Sequence, residues 1–431
     1  MINNYLRLLA AMVLSTFVLP QQAFAFTVST CTYDGSTNIP AMETNRNPDV
    51  YFGATIPSGS SQFTALTQAL SAVNRVPANI SFRGVIFGTG ASDAVAPAFD
   101  AGISRFWSME YYIYRKPDGT VDTSRRIPSM TGNFLNEFYF SNDPTMDNAH
   151  TTTSYVNCVL VDKDVIFNTT PYSVDANGNR MPMSWTYSDS ASSSLAYEGA
   201  SRPFKPTAIH ETLHYLGLGH EQDIYNIMGT DFTHVGINGS TTIPYVGEDA
   251  ASGLVSIYGT TPYTAKQDLG ISHWYRWNQT SGAPSGEENY SRHTRTRIYD
   301  TSNNLITDCV KTDNSACKFN EYEKDQFFKV SKGQTIRPQF IIENNGLWNV
   351  QAPVYYYLST DNVITTADTL LKTVNRTISR DAPDLVYESV TLPSTLVSGQ
   401  KYYIGAIVDP NNSFTELLET NNSAYIGIHV K

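Results

Sequence analysis

Residues 210–220 read His-Glu-Thr-Leu-His-Tyr-Leu-Gly-Leu-Gly-His, and they point to the chemistry of the chain more directly than any other stretch. On a helix, His210 and His214 lie one turn apart on the same face, which is the spacing at which two imidazoles bind one metal ion. Gly217 can end that helix at a positive φ and turn His220 towards the same point. Three protein ligands with one open position are typical of catalytic zinc. We therefore expect one Zn²⁺ ion bound by His210, His214 and His220.

Glu211 stands between the two helical ligands and points beside the metal rather than at it. Zinc lowers the pKa of a bound water from about 16 to about 7, and a neighbouring carboxylate can accept its proton at neutral pH. The same carboxylate can pass the proton to a leaving amine. The pattern therefore predicts hydrolysis of a peptide bond, with Glu211 as the general base.

The arrangement H-E-x-x-H-x-x-G-x-x-H across residues 210–220 resembles the zinc signature of the metzincin peptidases. Met228 follows His220 by eight residues, a spacing similar to that of the methionine turn in the matrixin branch. Residues 249–259 resemble the matrixin C-terminal helix, although Glu221 is more similar to astacin-like enzymes. The resemblance implies that Gly217 and Met228 are structural residues of the site.

The same resemblance implies an α+β metzincin-like catalytic domain, with a twisted mixed sheet plus three helices and a substrate cleft over the zinc. In that fold, extended substrate pairs with an edge strand above the cleft. Residues 157–168 are our candidate for this edge strand, and an ordinary interior strand is the alternative.

Residues 1–25 have the pattern of a secretory signal peptide. Arg7 precedes an apolar run of 12 residues, Leu8 to Leu19, which is too short for a transmembrane helix, and Ala-Phe-Ala at 23–25 fits a cleavage site. An uncleaved anchor is the alternative. A net charge of −11 argues against nucleic acid as a partner. We expect a secreted, extracellular protein with no transmembrane segment and a protein or peptide substrate, for which a surface glycoprotein is one candidate.

Four cysteines fit an exported chain that contains disulfide bonds. Cys309 and Cys317 flank a turn-rich segment, so a disulfide bond between them would connect the two strands of a hairpin. That pairing leaves Cys31 with Cys158. The alternative for Cys31 is a thiolate that blocks the metal site in a latent form.

Apolar spacing and turn signals divide the chain into regions. Three helices are expected, at residues 60–74, 206–216 and 249–258. Short strands separated by turns dominate after Gly259, which argues for a C-terminal all-β sandwich. The expected divisions are a signal peptide at 1–25, a zinc metallopeptidase domain at 26–262, a β-rich linker or extra strands of the sandwich at 263–329, and a β-sandwich at 330–431.

The last region resembles the bacterial adhesion-related domain abbreviated CARDB. Four segments carry this resemblance: Lys332–Thr335, Glu343–Gly346, Ala406–Pro410 and Glu416–Asn422. Asp361 and Asp368 could hold a structural Ca²⁺ ion, but a solvated turn is the preferred interpretation and calcium is unsupported.

The leading hypothesis is a secreted zinc metalloendopeptidase with a β-sandwich accessory domain. The alternative is a non-catalytic secreted adhesin or surface-binding protein with a vestigial zinc site. Glu211 discriminates between them, because a decayed site is expected to lose its base or a ligand. On the leading hypothesis, we expect residues 26–262 alone to hydrolyse short peptides.

Overall fold

The computed structural model describes fifteen parts of the chain, called the described residues below: 26, 28–33, 36–43, 45–87, 136–143, 146–156, 158–174, 179–190, 201–220, 227–229, 235–262, 267–272, 297–317, 326–380 and 384–431. The signal peptide expected at 1–25 lies outside them. The aromatic and β-branched residues at 105–114 also predict a strand, and this segment lies outside the described residues as well.

Within the described residues, the N-terminal unit contains three α-helices and thirteen strands. The helices are α1 (Ser61–Asn74), α2 (Phe204–Tyr215) and α3 (Glu248–Tyr258). The strands are β1 (Thr30–Tyr33), β2 (Ser36–Pro40), β3 (Asp49–Phe52), β4 (Gly84–Phe87), β5 (Glu137–Ser141), β6 (Ala149–Val156), β7 (Val159–Asn168), β8 (Tyr172–Val174), β9 (Arg180–Pro182), β10 (Ser184–Thr186), β11 (Ser201–Pro203), β12 (Val235–Asn238) and β13 (Thr241–Pro244).

The main sheet of this unit has five strands in the order β4-β3-β5-β7-β6. β3, β4, β5 and β7 are parallel, whereas β6 runs antiparallel to β7 at the edge. Within the interval 157–168, our candidate for the edge strand, residues 159–168 form β7, which pairs with a neighbour on each side. That expectation is therefore wrong, and the interior-strand alternative is correct. The physical reason is visible in the core, where Val165 and Phe167 are fully buried.

Helix α1 forms where capping and apolar spacing predict it. The Ser60 hydroxyl accepts a hydrogen bond from the Phe63 backbone N–H at 3.0 Å, which satisfies one of the free donors at the helix start. Leu66, Leu70 and Val73 are buried along one face. The helix expected at 60–74 is thus confirmed to within one residue.

Helix α2 is buried along almost its whole length, against the five-stranded sheet and α1. The Phe204 ring at its start lies 4.7 Å from the Phe167 ring of β7, centroid to centroid. Near its end, Tyr215 lies 5.8 Å from Phe138 of β5. Such close packing at both ends fixes the helix that carries the first two predicted ligands.

The C-terminal unit is a β-sandwich. Its strands are β14 (Leu269–Ser272), β15 (Ile298–Asp300), β16 (Cys309–Val310), β17 (Phe327–Val330), β18 (Thr335–Asn344), β19 (Val350–Ser359), β20 (Thr369–Ile378), β21 (Asp384–Tyr387), β22 (Val390–Thr391), β23 (Lys401–Val408) and β24 (Ser423–Val430). One sheet is formed by β14, β15, β21 and β22 around β18. The other has the order β16-β17-β24-β23-β19-β20. Both sheets contribute to one core, where Phe340 of β18 faces Tyr356 of β19.

Four of these strands, β14 to β17, fall between residues 263 and 330 and pair within the sandwich sheets. The domain boundaries themselves stay a prediction.

The α+β metzincin-like fold class is wrong for this chain. Strands predominate in the described residues, they form seven separate sheets, and only three α-helices accompany them. The result is a mostly-β, sandwich-rich fold. The expectation failed because it extended the resemblance of one short motif to the whole catalytic part, whereas the motif determines only one helix and the turn after it.

Three of the four cysteines are disulfide-bonded. The predicted disulfide between Cys309 and Cys317 is present. Cys158 is also disulfide-bonded, while the side chain of Cys31, its predicted partner, lies outside the described residues. Among the helices described, the longest has 14 residues, and none is long and apolar enough to cross a membrane.

The hairpin of β12 and β13 lies between the two units. Asn238 of the hairpin exchanges two hydrogen bonds with the Ile364 backbone, at 2.6 and 2.9 Å. Gly239 and Asn362 exchange two more, at 2.7 and 3.1 Å. Ile237 is buried in a cluster with three sandwich residues: Tyr357, Ile364 and Tyr425. The sandwich therefore holds this hairpin by apolar packing and by four hydrogen bonds.

The other side of the same hairpin contacts the N-terminal unit. The Thr242 N–H donates to the Asp189 carbonyl at 2.7 Å. The Asp189 carboxylate forms an ion pair with Lys205, in the first turn of α2. Helix α3 makes a second contact with the sandwich, because Arg380 donates to the Ser252 hydroxyl at 2.8 Å. The two units thus meet next to the helix that carries His210 and His214.

Candidate metal centre

The structure brings together the three histidines that the sequence singled out. The Nε2 atoms of His210, His214 and His220 lie 3.0–3.2 Å from one another. Three nitrogen ligands of a tetrahedral zinc ion, each about 2.0–2.1 Å from the metal, are separated by about 3.3 Å. Among the described residues, this is the one group of three or more His, Cys, Asp or Glu side chains that could hold a metal ion.

Backbone carbonyls determine which ring nitrogen of the two helical histidines faces the centre. Nδ1–H of His210 donates to the Ile227 carbonyl at 2.6 Å, and Nδ1–H of His214 donates to the Leu218 carbonyl at 2.7 Å. A neutral imidazole carries one proton, so both Nε2 atoms present lone pairs to the centre. Lone pairs this close repel one another unless a cation lies between them. The donor set therefore fits a metal ion.

Helix α2 ends where Gly217 allows the chain to turn. Gly217 has φ +93°, and a Cβ there would lie 2.4 Å from the Ala41 carbonyl oxygen. The Leu218 N–H donates back to the Leu213 carbonyl, which closes the helix end. Positive φ and close backbone approach together restrict this position to glycine. The turn sets the Leu218 carbonyl against His214 and carries the chain on to His220.

Met228 lies in the core and is 1% exposed. The residue before it, Ile227, supplies the carbonyl that orients His210. The turn that contains Met228 is thus connected to the histidine group through the backbone. That Met228 lies beneath a bound metal stays a prediction.

The carboxylate of Glu211 is buried, and its described hydrogen-bond partner is Thr151 of the edge strand β6. The Thr151 hydroxyl lies 2.8 Å from Glu211 Oε2 and 2.9 Å from the Glu211 backbone carbonyl oxygen, and it donates towards both. The Thr151 hydroxyl therefore connects strand β6 to both the carboxylate and the backbone carbonyl of Glu211. The sequence did not indicate Thr151, because 60 residues separate the partners.

Burial shifts the pKa values of these groups. It lowers the pKa of His214 to about 4, and it lowers that of His210 well below the usual value, with the nearby His214 as a second cause. Both imidazoles are then neutral at pH 7, as metal ligation requires. Burial raises the pKa of Glu211 to about 8, against the opposing effect of the Thr151 hydrogen bond. A buried carboxyl group with a pKa near neutrality is suited to accept and release a proton.

Asp361 and Asp368 are the two aspartates at which the sequence allows a structural Ca²⁺ ion. Each of these carboxylates accepts a backbone N–H of its own turn, Asp361 from Val363 at 2.9 Å and Asp368 from Thr365 at 2.7 Å. Such local hydrogen bonds account for the aspartates as turn residues. Calcium at this loop gains no support from the structure.

We expect Thr151→Val to lower kcat by roughly 10- to 100-fold, because it removes a hydrogen bond to a charged group without changing the shape of the side chain. Bound zinc and KM should change little. Thr151→Ser keeps the hydroxyl and should retain most of the activity. Steady-state kinetics with elemental analysis of zinc would check this. Equal losses in the valine and serine variants would contradict a role for the hydroxyl.

Comparison with known proteins identifies no family for this chain. No family model matches it, and no curated protein does. Among solved structures, the crystal structure of a CARDB domain from Pyrococcus furiosus, in complex with di-metal ions, matches 24% of this chain and 79% of its own, with 22% identity and a TM-score of 0.20. Catalytically inactive OgpA from Akkermansia muciniphila, in complex with an O-glycopeptide, matches 91% of this chain and 95% of its own, with 10% identity and a TM-score of 0.21. At these TM-scores, neither similarity carries an argument about what this chain does.

Proposed function

We propose that the chain is a zinc-dependent endopeptidase that acts outside the cell. One observation carries this proposal: three imidazole Nε2 atoms lie within 3.2 Å of one another, next to a buried carboxyl group in the same turn of helix. A structural zinc site has four protein ligands, whereas the described residues supply three here. In catalytic zinc sites, three protein ligands leave the fourth position to a water or a substrate oxygen.

His210, His214 and His220 would hold the ion. Imidazole suits several transition metals, and the near-tetrahedral spacing of the Nε2 atoms favours zinc. When bound, zinc supplies Lewis acidity, which makes water a nucleophile at neutral pH and polarises a peptide carbonyl. The carbonyls of Ile227 and Leu218 hold two of the imidazoles in the tautomer that ligation needs.

Glu211 would move the protons. Its carboxylate accepts a proton from the attacking water and then donates it to the leaving nitrogen of the peptide bond, so that the net reaction consumes one water. Thr151 orients the carboxylate through Oε2. The resemblance of residues 210–220 to the metzincin signature supports the same reaction.

Two further features support an extracellular location. Residues 1–25 have the signal-peptide pattern, and three of the four cysteines are in disulfide bonds. Peptide and protein substrates are consistent with the net charge of −11, which disfavours nucleic acids.

Cleavage of unfolded casein by the purified mature chain would test the proposal. We expect activity that a chelator abolishes and that one equivalent of Zn²⁺ per chain restores. Zinc bound at one equivalent without any cleavage, on casein or on a peptide library, would contradict the proposal and favour the non-catalytic surface-binding alternative. If activity occurred, the library would also define the cleavage-site preference.

A further inference from the structure

Where β14 begins, the sandwich contains a buried cluster of side-chain oxygens that the proposed peptidase reaction does not use. Asp268 is 6% exposed and Glu416 is 8% exposed. Three amide side chains, all at most 5% exposed, donate to the two carboxylates: Asn345, Asn421 and Asn422. Gln267, which precedes Asp268 and is 4% exposed, donates to Asn344 Oδ1 at 2.6 Å. The cluster joins three segments, namely the start of β14, the turn between β18 and β19, and the loop before β24.

The amide nitrogens of the three asparagines are directed at the two carboxylates. Asn345 Nδ2 donates to Asp268 Oδ2 at 3.0 Å, and Asn421 Nδ2 donates to Asp268 Oδ1 at 3.2 Å. Glu416 accepts from Asn422 Nδ2 at 3.1 Å and from the Leu269 N–H at 2.5 Å. Each carboxylate oxygen thus has one donor and retains a second lone pair.

The amide oxygens have no such partners. The side-chain oxygens of Gln267, Asn345, Asn421 and Asn422 are buried without a hydrogen-bond donor. Among the described residues, no lysine or arginine forms an ion pair with Asp268 or Glu416; Arg75, which is partly buried, attracts Asp268 from a greater distance. The cluster therefore holds more acceptors than donors and two carboxylates without a paired cation. A bound cation would balance the charge of the buried carboxylates and would give the buried amide oxygens a partner.

We propose that Asp268, Glu416 and the neighbouring amide oxygens form a binding site for one Ca²⁺ ion. Calcium takes six to eight oxygen ligands at about 2.3–2.6 Å, from carboxylates and from Asn or Gln side chains. A flip of the Asn345 and Asn421 amides exchanges nitrogen for oxygen and puts both Oδ1 atoms beside Asp268. Oxygens about 3 Å apart are compatible with a shared calcium ion. Magnesium fits less well, because it requires a smaller octahedron and retains waters that a buried site excludes.

Burial disfavours the charged form of both carboxyl groups in this cluster. Burial raises the pKa of Asp268 to about 7; Glu343 raises it further, and Arg75 opposes the shift. Burial also raises the pKa of Glu416 to about 8, with Asp268 and Glu419 as additional causes. Both values exceed those of the unfolded chain. Without calcium, stability from these groups is therefore greatest at acidic pH and is lost as the pH rises through about 7 to 8.

Calcium binding to the zinc-loaded mature chain, freed of calcium by dialysis over a chelating resin and then resupplied with zinc, would test the site. Calorimetric titration should give one Ca²⁺ per chain, and Tm should rise by roughly 5 °C at a hundred times Kd. Without calcium, Tm should fall between pH 6 and pH 9, and calcium should remove most of that fall. Magnesium at the same concentration should give less than half of the shift.

Two variants locate the ion. Asp268→Asn and Glu416→Gln should each abolish the calcium-dependent rise in Tm, and Glu416→Gln serves alone if the first variant does not fold. Asp368→Asn, in the exposed loop, is the matched control and should keep the full rise. No binding by the wild-type chain would overturn the proposal. So would a rise that survives in both buried variants or is lost only in Asp368→Asn. All of these readouts are independent of peptidase activity.

Discussion

Glu211→Ala should retain one zinc ion per chain and lose at least roughly 1,000-fold in kcat/KM. The general base of a hydrolase typically raises the reaction rate by about 100- to 10,000-fold. We expect a loss towards the upper end of this range, because the described residues place no second carboxylate in the histidine group. The metal should stay, because Glu211 is not a ligand in the proposed site. Zinc by elemental analysis and turnover of a peptide, measured on the same preparation, would check this.

Two variants serve as controls for this result. Glu211→Gln preserves the size of the side chain and its contact with Thr151, so it separates proton transfer from packing. His214→Ala removes a ligand and should lose both zinc and activity. If Glu211→Ala kept more than a few per cent of the activity, the assignment of the base would be wrong. Loss of zinc from both glutamate variants would instead mean that Glu211 supports the ligands.

Residues 26–262 produced without the sandwich should be far less stable than the full chain and should lose most peptide turnover. Ile237 would lose the apolar cluster that covers it, and Asn238 and Gly239 would lose four hydrogen bonds. Burial of one isoleucine and four neutral hydrogen bonds together contribute on the order of 5 kcal/mol. A domain is typically stable by only about 5–15 kcal/mol. From the sequence alone, we expected the opposite outcome, namely independent activity.

Thermal unfolding, bound zinc and kcat/KM on a short peptide, each compared between the two proteins, would distinguish these outcomes. Ile237→Ala in the full chain is a milder version of the same change and should lower Tm with less effect on zinc. If the fragment folded and hydrolysed the peptide as well as the full chain does, the sandwich would be needed only to bind large substrates. The sequence-based expectation would then be correct.

The local part of the structure was predictable from the sequence, because local rules determine it. Spacing of apolar residues and the Ser60 cap predicted α1, and the two helical histidines had to share a face. The disulfide between Cys309 and Cys317 follows from a short turn between them. In each case the interacting residues lie within a few turns of helix or one hairpin.

The parts that depend on distant contacts could not be predicted in the same way. Thr151 reaches Glu211 only because β6 pairs at the sheet edge next to α2. The oxygens around Asp268 come from three segments that lie far apart in the sequence. The fold class failed for a related reason: a motif specifies its own helix, and the balance of strands and helices is set by the rest of the chain.

The position of β24 has a consequence for the order of events during synthesis. β24 lies inside its sheet, between β17 and β23, and its Tyr425 is one of the residues that cover Ile237. A ribosome that has reached residue 262 has already made all three histidines and Glu211, but none of the sandwich residues that hold the hairpin. Translation adds about 5–20 residues per second, so roughly 10–30 seconds pass before Tyr425 exists. The nascent chain would thus contain all three histidines and Glu211 well before the strands that hold the hairpin exist, and on the proposed function it would remain inactive during this delay.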